Sequence, residues 1–187
     1  IKPDELISVP GATSAERHRY LVSKKGDRAA AAKSLRAHLE WRRTSLPVPE
    51  ERAPVPEWIY QYGTARDGTP VIMCHPQRYS VEVASDEDYV LNLVAIFEEL
   101  LSRDCLTKLT ILIDTRPDPE GLGWANSHGR GIVGFCRLFA NTLAANYPER
   151  CERIVAYPCP AFAAVIYPVL RPLIPEGTGR CVVLLPG

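Results

Sequence analysis

Gly129-Arg130-Gly131-Ile132-Val133-Gly134 has the G-x-G-x-x-G spacing that lets a backbone approach a pyrophosphate at the start of a helix. That chemistry needs the first glycine in the tight turn directly after a strand. The strand expected before it ends at Asp114, about fifteen residues earlier. The glycines therefore suit a helix that starts close against a neighbour, and no cofactor is implied. Hydrolysis would need an exposed nucleophile and a base. No G-x-S-x-G elbow is present, and the adjacency of Ser127 and His128 means little, because triad partners meet in space rather than in sequence. Asp114 closes a strand where ligands of α/β sheets often bind, but its simpler role is to cap the loop that follows. The six cysteines and four histidines are scattered, with no two-residue cysteine spacing and no paired histidines, so no metal site is expected. Reduced, buried thiols fit them best. No catalytic set emerges, and the chain is not expected to be an enzyme.

The elements that position these residues begin with the totals. A chain of 187 residues with 46% hydrophobic residues can bury one sizeable core. Basic and acidic residues balance at 22 each, which removes the field that would draw the protein to nucleic acid. The longest apolar runs, Leu109–Ile113 and Val182–Leu185, are far too short to span a bilayer. The opening residues lack the basic, apolar and small-residue order of a signal peptide. A chain that begins at Ile1 rather than Met reads as a piece of a larger parent.

The first third reads as helical. Asp27 caps a helix over Arg28–Arg43 with Ala31, Leu35 and Leu39 on one face, and the helix must stop before Pro47. Pro47, Pro49, Pro54 and Pro56 make a connector over 47–57, separating a helical N-terminal lobe (1–46) from an α/β lobe (58–187) within one integrated domain. Trp58–Tyr62 and Val71–His75 flank Arg66-Asp67-Gly68 as a hairpin. Ser85 and Asp88 have capping-box spacing before a helix carrying Val90, Leu93, Val94, Phe97 and Leu101. Strand Leu109–Ile113, helix Arg130–Asn146, strand Arg153–Tyr157, helix Ala161–Leu173 and strand Arg180–Leu185 then alternate. That order predicts a mixed, mostly parallel sheet with right-handed crossovers. The helix over Ala161–Leu173 has almost no polar face, and Pro168 interrupts it. Such a helix is either buried on every side or faces lipid on one side.

Three separated segments, in order, resemble the CRAL-TRIO family. Tyr20-Leu21-Val22-Ser23-Lys24-Lys25-Gly26-Asp27 with His38-Leu39-Glu40-Trp41-Arg42-Arg43 is similar to its N-terminal helical signature, and Asp67-Gly68-Thr69-Pro70-Val71 to its hairpin turn. Asn146-Tyr147-Pro148-Glu149-Arg150, Ile154-Val155-Ala156-Tyr157-Pro158 and Val169-Leu170-Arg171-Pro172-Leu173-Ile174 together resemble its most characteristic stretch. The resemblance implies a CRAL-TRIO-like α/β fold: a helical N-terminal lobe and a mixed, mostly parallel sheet flanked by helices around a lipid cavity. It also implies that the apolar helix is a gate over the cavity mouth, with Phe162, Ile166, Tyr167 and Leu170 as gate residues. A lined cavity removes acyl chains from water at about 0.8 kcal/mol per methylene.

Carried over by position, the headgroup residues are Lys24, Lys25, Glu149 and Thr178. The family's lysine before the last strand falls on Cys181, so the cation there would be the neighbouring Arg180, which points to the other face in a regular strand. Taken without the resemblance, Lys24-Lys25 is a solvated loop, Glu149 a helix-end residue and Arg180 a surface charge. Leu109 and Ile111, where choline-binding members of the family carry hydroxyls, and Phe135 and Phe139 are cavity-wall or core residues. The expected partners are one lipid, a phosphoinositide first, and transiently a membrane surface, for a cytoplasmic protein that moves lipid through its gate. The alternatives are a non-exchanging interaction module from a larger signalling protein and a carrier of a sterol or isoprenoid.

Overall fold

The computed structural model describes residues 7–49, 58–116, 131–159, 167–168, 171–173 and 179–187. Helix α1 (Ser14–Ser23) opens on a reciprocal cap: the Glu16 amide donates to the Thr13 hydroxyl at 3.1 Å, and the Thr13 amide donates to the Glu16 carboxylate at 2.9 Å. Gly26, at φ +88°, turns the chain between helices. Asp27 then accepts from the Ala30 amide at 2.9 Å to start α2 (Arg28–Ser45). The two helices close a small core in which Tyr20, Leu21, Ala31 and Leu35 pack with Ile7 and Val9.

Strands β1 (Ile59–Thr64) and β2 (Pro70–Cys74) form the antiparallel hairpin, with Gly68 at φ +85° in its turn. Helix α3 (Asp86–Leu100) starts at Ser85, whose hydroxyl accepts from the Asp88 amide and donates to the Asp88 carboxylate. β3 (Leu109–Asp114), α4 (Gly131–Asn146), β4 (Cys151–Tyr157) and β5 (Val182–Leu184) follow. The five strands lie in sequence order, and every pair after the first is parallel. Crossovers of one hand between strands added in one direction place α3 and α4 on the same side of the sheet.

Register aligns Ile72, Ile111, Ile154 and Val182 across β2 to β5. Side chains alternate along a strand, so these residues with Cys74, Leu109 and Ile113 share one face. That face joins Leu93, Val94, Phe97, Phe135 and Leu143 of α3 and α4 in the main core. Each large apolar side chain buried there contributes about 1.5–3 kcal/mol. The opposite face holds Met73, Leu112 and Val155 and leaves Tyr60, Tyr157 and Val183 between 39% and 49% exposed.

Candidate functional site

The β3–β5 half of the helix-bearing face carries Ile113, Ala156, Val182 and Leu184 side by side. Phe135 and Phe139 project from α4 as a stacked pair with ring centres 6.0 Å apart, and Phe135 stands edge-on to Trp58 at 5.3 Å. Leu109 and Ile111 lie deeper, 0% and 2% exposed, within the main core. Phe135 is also a core member, and Phe139 packs against that core from a half-buried position. Of the gate residues, Tyr167 is half-buried and its hydroxyl donates to the Gly179 carbonyl at 3.4 Å. Phe162, Ile166 and Leu170 lie outside the described residues, as does Thr178 of the headgroup set.

Lys24 and Lys25 are exposed at the C-terminal end of α1, and Lys25 has a left-handed backbone at φ 53°. One turn earlier the Tyr20 hydroxyl donates to the Ala145 carbonyl at 2.6 Å, tying that end of α1 to the end of α4. The chain then turns through Tyr147-Pro148-Glu149-Arg150 into β4, with Glu149 at φ 59° and half-buried. The Glu149 charge bears on the thiols of Cys151 and Cys181; with burial as the larger cause, it raises both, Cys151 to about 12. The Cys181 thiol lies 3.5 Å from the Cys151 carbonyl, which brings the start of β4, two residues after Glu149, to the entry of β5, where exposed Arg180 precedes Cys181. The Tyr20–Ala145 bond ties α1 to α4 four residues before Lys24 on one side and four before Glu149 on the other.

The neighbours of Glu149 in this motif act structurally. Tyr147 is 6% exposed and donates to Glu98 at 2.8 Å. Arg150 is 3% exposed and donates to the carbonyls of Ser102, Cys105 and Thr107, which pins the α4–β4 turn to the α3–β3 loop. Asp114 accepts from the Arg116 amide and pairs with its guanidinium at 2.6 Å, which holds its carboxyl below the usual range. It caps the loop after β3. All six cysteines are free thiols, and among the described residues no three His, Cys, Asp or Glu side chains gather as a metal-binding group.

Two features were not singled out from sequence. One is an open groove of about 760 Å³ between α2 and α3, lined by Leu39, Leu46, Val48 and Ala95 together with Arg42 and Glu98; no predicted site residue lines it. The other is a buried ionic set between the lobes. Glu16, 1% exposed, accepts from Arg103 at 2.8 and 3.0 Å and lies 3.7 Å from His38 Nε2. Burial pushes its carboxyl up, but hydrogen bonds from His38, Arg103 and the Thr13 amide outweigh burial and hold it well below the usual carboxylate range. Thr13 and Glu16 have the spacing of a capping box, which is the one local signal that could have drawn attention to this carboxylate.

Comparison with known proteins matches the CRAL/TRIO domain to residues 57–186. The crystal structure of Sfh5, a yeast CRAL-TRIO protein, is similar in fold, with a TM-score of 0.73 at 14% identity over 92% of this chain. The match covers 64% of the Sfh5 chain, so this chain spans less than two thirds of that protein's length. No curated protein matches the chain significantly. Among the described residues, no helix is long and apolar enough to cross a membrane.

Proposed function

The chain belongs to the CRAL/TRIO domain family, whose members are generally lipid-binding carriers, and from that premise we propose that it holds one lipid, a phosphoinositide first, between the sheet and the helices that flank it. The observation that supports this most is the apolar β3–β5 half of the helix-bearing face, which carries Ile113, Ala156 and Leu184 in register, with Phe139 of α4 packed against the main core that shares this face. Leu109, Ile111 and Phe135 form the floor beneath. The segment carrying Phe162, Ile166, Tyr167 and Leu170 is the gate, with one side over the acyl chains and the other against a membrane during exchange. Lys24 and Lys25 hold the lipid phosphate by charge-assisted hydrogen bonds, Glu149 and Thr178 take inositol hydroxyls, and Arg180 stands in for the absent lysine. The domain works in the cytoplasm, visits membranes transiently, and makes or breaks no bonds.

Transfer of labelled phosphatidylinositol between vesicles tests the whole scheme. The protein should accelerate transfer. Ile166→Asp should lower the rate at least tenfold with little change in melting temperature. The Lys24→Ala/Lys25→Ala double variant should lower transfer of phosphatidylinositol more than that of an uncharged lipid. Failure to take up phosphatidylinositol, other phospholipids or a sterol would contradict it. Exposed Tyr60, Tyr157 and Val183 favour a second reading, in which the domain is an interaction module that uses the outer sheet face. The wholly apolar strand positions Leu109 and Ile111 make a sterol or isoprenoid as fitting a second ligand as a phospholipid.

A further inference from the structure

Where the helical lobe meets the α/β lobe, two ion pairs close on themselves. Arg42 grips Glu98 with two bonds of 2.7 and 2.5 Å, and Arg103 grips Glu16. Two further guanidiniums are buried beside them, with Arg19 5% and Arg150 3% exposed. Among the described residues neither makes an ion pair. Arg19 donates to the carbonyls of Arg103 and Cys105, and Arg150 donates to those of Ser102, Cys105 and Thr107. Carbonyls satisfy the N–H groups but carry no net charge, so two positive charges stay uncompensated in a place that water hardly reaches. An unpaired buried charge of this kind is strongly unfavourable.

The strain registers on the neighbours. Burial and then the charge of Arg150 pull Arg19 down to about 10, with Glu16 opposing. Burial raises the Cys105 thiol, but hydrogen bonds from Thr107 and Arg150 outweigh it and hold the thiol below its ordinary value. All four arginines, Glu16, Glu98 and His38 line a hole of about 10 Å³. A space of about 10–15 Å³ on this measure takes one water-sized particle. Four guanidiniums against two carboxylates leave its wall with an excess of two positive charges before His38 is considered.

We propose that this hole binds one small monovalent anion, which neutralises the Arg19–Arg150 pair and fastens the helical lobe to the sheet-bearing lobe. The site is separate from the lipid cavity and does not depend on the lipid assignment. An anion that binds only the folded chain stabilises it by mass action. Chloride is the probe, and gluconate, too large for the hole, is the reference at equal ionic strength and pH.

With the whole chain, the melting temperature should rise by about 4 °C for each tenfold increase in chloride above its dissociation constant. Arg19→Met should remove that dependence, which separates the site from general salt effects. Wild-type crystals soaked in bromide should show one anomalous peak between Arg19 and Arg150, a result that stands whether or not the variant folds. Equal melting temperatures in chloride and gluconate, or no bromide peak in the hole, would overturn the proposal. So would a chloride dependence that survives in folded Arg19→Met. A Cys105 thiol that alkylates as a thiolate at neutral pH, with no chloride effect, would assign the counter-ion to the chain itself and overturn it equally.

Discussion

Glu16 is a charged group placed where charge is hard to keep, and its partners come from both lobes: Thr13 and His38 from the helical lobe, Arg103 from the loop after α3. Glu16→Gln keeps the shape and removes the charge, leaving Arg103 without its acid. The substitution should cost about 3 kcal/mol at neutral pH, read as a lower urea midpoint at unchanged slope. Because the folded-state pKa is depressed, the contribution of Glu16 is complete above the unfolded carboxylate value of about 4.3 and is lost as pH falls below it. The difference between wild type and Glu16→Gln should therefore hold from neutral pH down to about pH 5 and shrink from there toward about pH 3. A difference that stays constant over that range would show that shape and not charge sets the loss. The same residues mark where local sequence stops being informative. Tyr147 and Arg150 flank Glu149 in a stretch readable as a headgroup motif, yet their partners lie 49 and 43 to 48 residues away, at Glu98 and at the carbonyls of the α3–β3 loop. No spacing rule links them, because only the fold brings those segments together.

Elements with a local start signal were legible. Asp27 and Ser85 begin α2 and α3 at the residues expected, and the hairpin turns at Asp67-Gly68. The ends moved by a residue or two: α2 runs on to Ser45, β4 begins at Cys151 and β5 shortens to Val182–Leu184. Sheet partners extend or trim a strand, and its own sequence does not record them. Helix α1 had the clearest missed signal, since the Thr13–Glu16 box is reciprocal in the structure. Its cap is also tertiary, because the Thr13 hydroxyl lies 3.2 Å from the Arg103 carbonyl and can donate to it. Thr13→Ala should accordingly cost about 2 kcal/mol and Asp27→Ala, on an exposed cap, about 0.5–1 kcal/mol. Chemical denaturation of the two variants checks the order, and equal losses would remove the tertiary role of the α1 cap. The gate segment was legible only by its lack of polar residues, and of its four named residues Tyr167 alone falls within the described structure.

At the scale of the molecule, sequential strand order with one-handed crossovers puts α3 and α4 on one side of the sheet and leaves Tyr60, Tyr157 and Val183 open on the other. Alternating strand and helix patterns foretold the parallel sheet. The two-sidedness follows from register, which periodicity alone does not supply. The helical lobe is joined to the sheet-bearing lobe through Tyr20 to Ala145, Arg42 to Glu98, and Trp41 edge-on to Tyr147 at 6.0 Å. These contacts predict that both lobes unfold together. Tryptophan fluorescence and far-UV circular dichroism should give coincident urea transitions, whereas two separated midpoints would mean that the lobes are independent. The central claim, that the space between sheet and helices holds a lipid, is tested most directly by native mass spectrometry of the purified chain followed by solvent extraction. The account predicts one lipid per chain, with phosphatidylinositol in the extract after exposure to vesicles that contain it. A chain that stays at its bare mass after exposure to phosphatidylinositol, other phospholipids and sterol would contradict it.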